Sequence, residues 1–352
     1  MLRALFSGDY PRSRVLMVLL VLVFVALLLA PFLFPGTRPL NVAAKICIFI
    51  VLVASYDLLL GYAGIVSFAH TMFYGIGGYG IGLALYGLGP SWGAIGVGFV
   101  LALALTAVLS ALIGLFSLRV RAIFFAMITL AVASAFLILA SQLSGFTGGE
   151  DGRSFRAPTV LQPGFRLFDG EIFGVAISGR IITYYLVFFA ALALFLFLLR
   201  VVNSPFGRVL QAIRENDFRA EALGYRTVVY RTLANVLAAL VATMAGALMA
   251  IWLRYTGPDT MLSFSIMIDI LLMVVIGGMG TLYGAVIGVV ILVLAQNYLQ
   301  ALMGGVSKAL VGVPLLPDLL HPDRWVLWLG VLFVLSVYFF PTGIVGRLRQ
   351  RR

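Results

Sequence analysis

Long apolar runs alternate with short polar breaks along nearly the whole chain. The run "VLMVLLVLVFVALLLAPFLF" over 15–34 is continuous, and comparable runs recur toward the C-terminus. A helix of about 20 apolar residues crosses the hydrocarbon core of a bilayer, and on that measure about ten spans are predicted. They cover 15–34, 41–60, 68–86, 92–118, 122–142, 181–200, 228–252, 263–282, 284–302 and 325–341. The third is rich in glycine and is the candidate for an interrupted helix. The segments "PGTRPL", "YGLGPSW", "RYTGPD" and "GVPLLPDLLHPDR" carry the Gly/Pro punctuation of turns between spans. A membrane β-barrel is disfavoured, because its strands alternate apolar and polar positions. The expected fold class is all-α, a polytopic transmembrane helical bundle. An even number of spans puts both termini on one side.

One polar stretch breaks the pattern, "QAIRENDFRAEALGYRT" over 211–227. Ser204 suits a helix N-cap, Pro205 the first turn and Gly224 the C-terminal stop. Phe206, Val209, Leu210, Ile213, Ala220 and Leu223 keep a rough apolar stripe, and Glu215–Arg219 is spaced as a pair one turn apart. A helix over 204–223 is therefore predicted, about 30 Å long. It is too charged to span a bilayer, so it must lie along the surface or project into a partner.

Composition agrees with the pattern. The chain is 62% hydrophobic and 11% charged, with a mean hydropathy of +1.12. Such a chain needs lipid to cover its surface. The net charge of +11 does not point to nucleic acid, because the basic residues sit at the ends of the apolar runs, where orientation signals belong. Most of them, including Arg12, Arg14, Arg119, Arg121, Arg208, Arg214, Arg219, Arg226, Arg231, Arg347 and Arg349, fall on the side of the N-terminus. The opposite side holds fewer, among them Arg38, Arg153, Arg156, Arg166, Arg180, Arg254, Lys308 and Arg324. The bias places both termini in the cytoplasm. The organisation expected is a cytoplasmic tail 1–14, a single transmembrane domain 15–346 and a basic tail 347–352. That domain would carry a cytoplasmic loop 201–227 and an external loop 143–180 bearing Glu150, Asp151, Asp169 and Glu171. The first run is too long for a signal peptide and lacks a small-residue cleavage site, so it reads as a retained span.

The sequence offers no covalent chemistry. It has a single cysteine, Cys47, and two distant histidines, His70 and His321. It contains no phosphate-cradling G-x-x-x-x-G-K-[ST], no H-E-x-x-H and no G-x-S-x-G. No catalytic residue, metal site or cofactor is expected, and any ATP-driven step would need another chain. The polar residues within or beside the spans are the candidates for a solute path. Asp57 lies near the inner end of the second span, and Ser67, His70 and Thr71 lie in the Gly-rich "LLLGYAGIVSFAHTMFYGIGGYGIG". Asp57 could equally cap the turn toward Gly61, and His70 could be a packing histidine. Thr147, Gly148 and Gly149 of "TGGEDG" open the external loop, either as an outer gate, as a contact for a binding protein, or as an ordinary turn. "GGMGTLYGAVIG" would join the eighth and ninth spans tightly. Asp269 within the eighth span could pair with Arg254 or Arg231.

Four segments in this order, "YDLLLGYAGIVSFAHTMFYGIGGYG" (56–80), "TGGEDG" (147–152), "RVLQAIRENDFRAEALGY" (208–225) and "IGGMGTLYGAVIG" (276–288), carry a family resemblance. The chain resembles the M-type permease of branched-chain amino-acid ABC importers over roughly 40–345, and urea and amide importers carry similar permeases. The resemblance implies an inner-membrane subunit of a bacterial importer that forms half of a translocation path. It implies a second homologous permease, two cytoplasmic ABC ATPase subunits and a periplasmic solute-binding protein as partners. It also implies that "AIRENDFRAEALG", with Arg214, Glu215, Asn216, Asp217, Glu221 and Gly224, docks on the ATPase. The alternative from another class is an ion-coupled secondary transporter, which has no need of that loop. The Gly-rich stretches 61–82 and 276–290 match too weakly to establish an inverted repeat. A purely structural membrane subunit is disfavoured by the polar and glycine content of the third span.

Overall fold

The computed structural model describes residues 13–34, 36–117, 122–172, 175–309, 321–340 and 342–350. Residues 1–12 and 351–352 of the expected tails, Arg119, Arg121 and most of "GVPLLPDLLHPDR" lie outside the described residues, as do the side chains of Asp169, Glu171, Lys308 and Arg349. The described chain is a helical bundle. In order, it forms α1 (Arg14–Leu28), α2 (Thr37–Asp57), α3 (His70–Leu88), α4 (Trp92–Ser117), α5 (Ala122–Gln142) and α6 (Gly179–Val202). Two short helices follow, α7 (Pro205–Glu215) and α8 (Asp217–Ala222). The chain continues with α9 (Thr227–Leu253), α10 (Phe264–Gly277), α11 (Leu282–Ala309), α12 (Trp325–Phe339) and α13 (Gly343–Gln350).

Among the described residues eight stretches are long and apolar enough to cross a membrane, built on α2, α4, α5, α6, α9, α10, α11 and α12. Two of the expected spans are not among them. The run 15–34 forms α1, 15 residues long, and then kinks at Leu29 into a single turn, Ala30–Leu33, that contains Pro31. The third expected span forms α3, which begins only at His70 after the irregular segment 64–69, and its histidine, tyrosines and glycines make it less apolar than the other spans.

The interior is organised around α2 and α9. Their most apolar windows are 89% and 72% buried, against 17% for α5 and 12% for the segment carrying α12, so α5 and α12 form the rim. Small residues let α3 and α9 touch backbone to backbone. A side chain at Gly77 would run into the Thr243 carbonyl, and one at Gly246 into the Tyr74 carbonyl. This is the small-residue packing that draws helices together where lipid supplies no hydrophobic drive. The Thr243 hydroxyl donates to the Ala239 carbonyl of its own helix at 2.9 Å and lies 3.0 Å from the Phe73 carbonyl of α3. It stands 2.7 Å from the Thr106 hydroxyl of α4. Lower in the same seam, Asn235 Nδ2 of α9 donates to the Ser110 carbonyl of α4 at 2.9 Å. A second small-residue contact brings Gly98 of α4 against the Gly80 carbonyl of α3.

Two ends of the bundle are defined by what gathers there. At one, strand β1 (Arg153–Ser154) pairs antiparallel with β4 (Tyr255–Thr256), and strands β2 (Arg166–Ile172) and β3 (Val175–Ser178) form a hairpin before α6. At the other lie α7, α8, α13 and the connection 278–281 between α10 and α11, where α13 packs on both of those helices. Exposed apolar side chains cover the outside of α1, α4, α5 and α12, as expected of a lipid-facing wall.

The glycine seam gives a direct test. Gly246→Ala should destabilise the protein by about 1–3 kcal/mol, since its methyl meets backbone that cannot give way. Gly96→Ala, whose methyl would meet open space, should be neutral or stabilising by up to about 1 kcal/mol. Thermal unfolding in detergent compares them. Equal melting temperatures for the two variants would rule out close packing at Gly246.

Candidate functional site

The interruption between α2 and α3 sits inside the bundle, not at its surface. Helix α2 ends in a π-helical turn, Leu58–Ala63, and the chain turns at Gly64, whose φ of +69° is the left-handed conformation glycine accepts. Residues 64–69 then form an irregular, largely buried segment before α3 starts. A buried non-helical segment must find partners for its backbone, and this one finds some. The Ile65 N–H donates to the Leu59 carbonyl at 2.9 Å, and the Phe68 N–H donates to the Thr129 hydroxyl of α5 at 3.0 Å. Ser67 is 1% exposed, and its hydroxyl faces the Ala69 N–H at 3.4 Å.

His70 opens α3 and is fully enclosed. Its Nε2 lies 2.8 Å from the Ser55 hydroxyl of α2, and its ring meets Tyr56 edge-on with centroids 5.2 Å apart. The Ser55 hydroxyl also lies 2.8 Å from the Leu52 carbonyl, so one oxygen joins the ring to the backbone of α2. The histidine is thus a satisfied bridge between α2 and α3. Thr71 is buried beside it.

Asp57 is buried at the far end of α2 and serves a different structure. Its Oδ1 accepts the Gly280 N–H at 2.9 Å, so the carboxylate clasps the α10–α11 connection and does not cap its own turn. The connection itself turns at two positive-φ glycines, Gly278 at +117° and Gly280 at +78°. Arg214 of α7 reaches the same place and donates from Nη1 to the Gly61 carbonyl within the π-turn. The glycines are required by contact as much as by φ. A side chain at Gly61 would collide with Asp57 Oδ1 and the Gly280 backbone, and one at Gly343 with the Gly278 backbone.

Thr147, Gly148 and Gly149 lie at the opposite end, beyond α5. The Thr147 hydroxyl points back at the Ala140 and Leu143 carbonyls, 2.5 and 2.8 Å away, and accepts the Gly149 N–H at 3.2 Å. Gly148, Gly149 and Gly152 all have positive φ, and Gly152 packs on the Thr256 carbonyl of β4. The motif is a tight knot that ends α5 and carries β1 to its partner strand.

The polar stretch 204–223 is two helices rather than the one expected. Asn216 leaves the helical region (φ −159°, ψ 102°), and its Oδ1 accepts the Arg219 N–H at 2.9 Å, so it caps α8 and breaks the run that a Glu215–Arg219 pair required. The predicted ends are found. The Ser204 hydroxyl faces the Gly207 N–H at 3.4 Å with Pro205 in the first turn. Gly224 at φ +90° closes α8 in a Schellman motif, with Tyr225 N–H to Ala220 O at 3.1 Å and Gly224 N–H to Glu221 O at 2.9 Å.

Several of the polar groups expected to dock turn inward. Glu221 accepts from the Thr227 hydroxyl at 2.7 Å, and Asp217 pairs with Arg231 of α9 at 2.9 Å. Arg231 is thereby committed, and Asp269 finds neither of its expected partners. It accepts from Gln296 of α11 at 2.9 Å and lies within electrostatic reach of Lys45 of α2. Among the exposed residues of α7 and α8 are Arg208, Glu215, Arg219 and two large apolar side chains, Phe218 at 88% and Leu223 at 72% exposure, while Arg214 and Glu221 remain exposed although each is bonded within the chain.

The expected path residues therefore occupy three places. Asp57 is at the α7 end, Ser67, His70 and Thr71 are around the interruption, and Thr147–149 are at the opposite end. Ser55, Thr129 and Gln296 had no distinguishing sequence signal, since each matters through a residue on another helix, whereas Gly61 and Gly280 were legible as turn glycines but not as partners of Arg214 and Asp57. Among the described residues no cluster of three or more His, Cys, Asp or Glu could hold a metal ion.

Residues 38–336 match the family model described as "Branched-chain amino acid transport system / permease component". The chain is 27% identical to the LivM permease protein of the high-affinity branched-chain amino acid transport system of Salmonella typhimurium, across 98% of this chain and 78% of that protein. The LivH permease protein of the same organism is 26% identical, across 83% of this chain and 89% of its own length. A probable branched-chain amino acid transport permease protein LivM of Methanocaldococcus jannaschii is 26% identical, across 83% and 88%. No solved structure matches. A match running through the interruption, the α7–α8 segment and the 278–281 connection alike establishes that the chain belongs to the family of permease components of branched-chain amino-acid transport systems.

Proposed function

We propose that this chain is the M-type permease subunit of an ATP-driven importer for leucine, isoleucine and valine in a bacterial inner membrane. In this reading it supplies half of a solute path and passes motion from a separate ATPase. The observation that carries the mechanism is the exposed face of α7 and α8. Phe218 and Leu223 stand in the open among Arg208, Glu215 and Arg219, on helices too charged to enter lipid. An exposed aromatic ringed by charges is the anatomy of a protein-docking surface. The partner is an ABC ATPase, two copies of which would meet the α7–α8 segments of two permeases.

The pairing with a second permease is supported by the relatives. A single organism holds both LivM and LivH, and this chain is similar to each. The solute follows from the charges. Lys45, Asp57 and Asp269 are the main fixed charges in the spans. Asp57 is engaged with Gly280, and Asp269 with Gln296 near Lys45. So few fixed charges suit a strongly charged solute poorly, whereas a zwitterion with an aliphatic side chain suits apolar walls and an interrupted helix. A periplasmic binding protein would deliver it at the end that carries Thr147–149.

The ten-transit topology, with both termini and 201–227 cytoplasmic, is part of the same reading. Counting α1 and α3 as transits makes the long helices run alternately between the two ends. The contacts that support this are Arg38 with the Asn297 carbonyl and Arg180 with Asn41 at one end, and Arg214 with Gly61 at the other. Cysteines placed at Asn216 and Asp151, both exposed, should be labelled from opposite sides by an impermeant thiol reagent. The native Cys47 is 2% exposed and should stay silent. Labelling of both sites from outside would contradict this topology.

Docking and solute are tested in the assembled transporter. Phe218→Asp should release the copurifying ATPase, since loss of a central aromatic anchor costs about 2 kcal/mol or more. In liposomes holding ATP, with binding protein outside, leucine should accumulate, and without ATP almost none should enter. Uptake of urea but not leucine would move the chain to the urea branch. Gradient-driven leucine uptake by this chain alone would overturn the ABC mechanism.

A further inference from the structure

The docking face and the contacts that α7 makes with the membrane-spanning helices lie on different residues, and Arg214 belongs to the second set. We propose that Arg214 is the positioning residue that ties α7 to the inner ends of α2, α10 and α11, so that these elements move with α7 as one body. The proposal rests on the reading of α7 and α8 as the ATPase-docking segment.

The end of α2 and the α10–α11 connection converge on this guanidinium. Its Nη1 donates to the Gly61 carbonyl in the π-helical turn that ends α2. A π-turn shifts the hydrogen-bond register and frees carbonyls from the helix ladder, which lets an outside donor take one. The Arg214 side chain also runs along Gly64, where a Cβ would lie 3.0 Å from its Cγ. At Gly280 a Cβ would lie 3.1 Å from Nη1 and 3.0 Å from the Gly61 carbonyl oxygen, so the two backbones and the arginine are in mutual contact. Asp57 completes the set, holding the Gly280 N–H while feeling the positive charge of Arg214. The same connection also carries α13, whose first residue, Gly343, sits against the Gly278 backbone without touching Arg214.

The arrangement is stiff where it joins and soft just beyond. Each contact inside it is to backbone, and three glycines leave no room for side chains to flex. The segment that follows Gly64 is irregular, and it is held to α5 by the Phe68–Thr129 bond. A displacement of α7 would therefore carry the end of α2 and the 278–281 connection with it. It would be absorbed in 64–69, since hinges are loop or element-terminal residues that take up the backbone change. That segment leads directly to Ser67 and His70, the polar residues of the interrupted helix. Arg214 thus connects the ATPase side to the part of the molecule best suited to open and close.

The test uses the complete complex of permeases, ATPase and binding protein, with Arg214→Ala and Arg214→Lys compared to the native chain. Arg214→Ala should keep the ATPase bound and ATP turnover intact, while leucine taken up per ATP falls about tenfold, the loss of one charge-assisted hydrogen bond. Arg214→Lys, which keeps a charged donor within reach of the Gly61 carbonyl, should recover part of it. A residue that only stabilises the fold would lower the yield of complex and leave the ratio of uptake to ATP unchanged, and that result would overturn the proposal. Loss of the ATPase from the Arg214→Ala complex would also overturn it, placing Arg214 in the docking face instead. Retention of the ATPase by Phe218→Asp would be a failure of the docking reading, which is separately visible. A second measurement needs no change at Arg214. Spin labels at Arg208 and Met279, both exposed, should keep one separation with and without ATP. A change larger than the about 2 Å of a helix shift would show that α7 and the connection move independently.

Discussion

In hydrocarbon a helix can stop only where something else takes its loose backbone groups. The end of α2 is the place where this chain meets that constraint, and much of the bundle is arranged around it. The helix widens to a π-turn, turns at the exposed Gly64 and continues through an irregular segment whose Ile65, Ser67 and Ala69 are buried. Each step frees carbonyls and amides from the helix ladder. They are met by Arg214 from the polar helix, by the Thr129 hydroxyl from α5 and by an internal bond to Leu59. Asp57 meanwhile satisfies the amide of a neighbouring turn. Without those partners the interruption would cost several kcal/mol for every unpaired group, and a continuous helix would be the better solution.

Glycine makes these meetings possible. At Gly61, Gly280 and Gly343 a methyl group would collide with backbone or with the Asp57 carboxylate. The α3–α9 seam works the same way, with Gly77 and Gly246 bringing carbonyls of one helix onto the other. In lipid, where burying apolar surface gains little between helices, such close van der Waals contact and the hydroxyl bridges of Thr243 and Thr106 are the available sources of cohesion. The glycines of this chain therefore carry its tertiary structure and are more than turn punctuation.

The polar segment between α6 and α9 has two faces with different work. The inner side is used up in the chain itself: Arg214 with Gly61, Glu221 with Thr227, Asp217 with Arg231. The outer side keeps Phe218 and Leu223 uncovered. A segment bound tightly to the spans on one side and open to a partner on the other is suited to passing force between them. The division explains why charges alone are a poor guide to docking here, because most of the acids that look available in the sequence are already paired.

Periodicity and composition by themselves determined that the chain is a membrane helical bundle, since the length of an apolar run is a local property that lipid thickness fixes. They also located the capped ends of the polar segment at Ser204 and Gly224, where the capping residues act within one turn. The order of four motifs pointed to the family. What only the tertiary structure decided depends on contacts between residues far apart in sequence. The clasp from Asp57 to Gly280 spans most of the chain, as does the approach of Lys45 to Asp269, which bonds to Gln296 of the next helix rather than to either arginine considered. The break at Asn216 was written in a residue that caps well, yet continuing the helix was equally open until the inward pairing of Asp217 with Arg231 was seen. His70 looked like a candidate for solute contact because an isolated polar residue in a span has no visible partner, and its partner Ser55 comes from a different helix. Sequence reads the cost of placing a polar group in lipid, but the group that offsets the cost is chosen by the packing of the bundle.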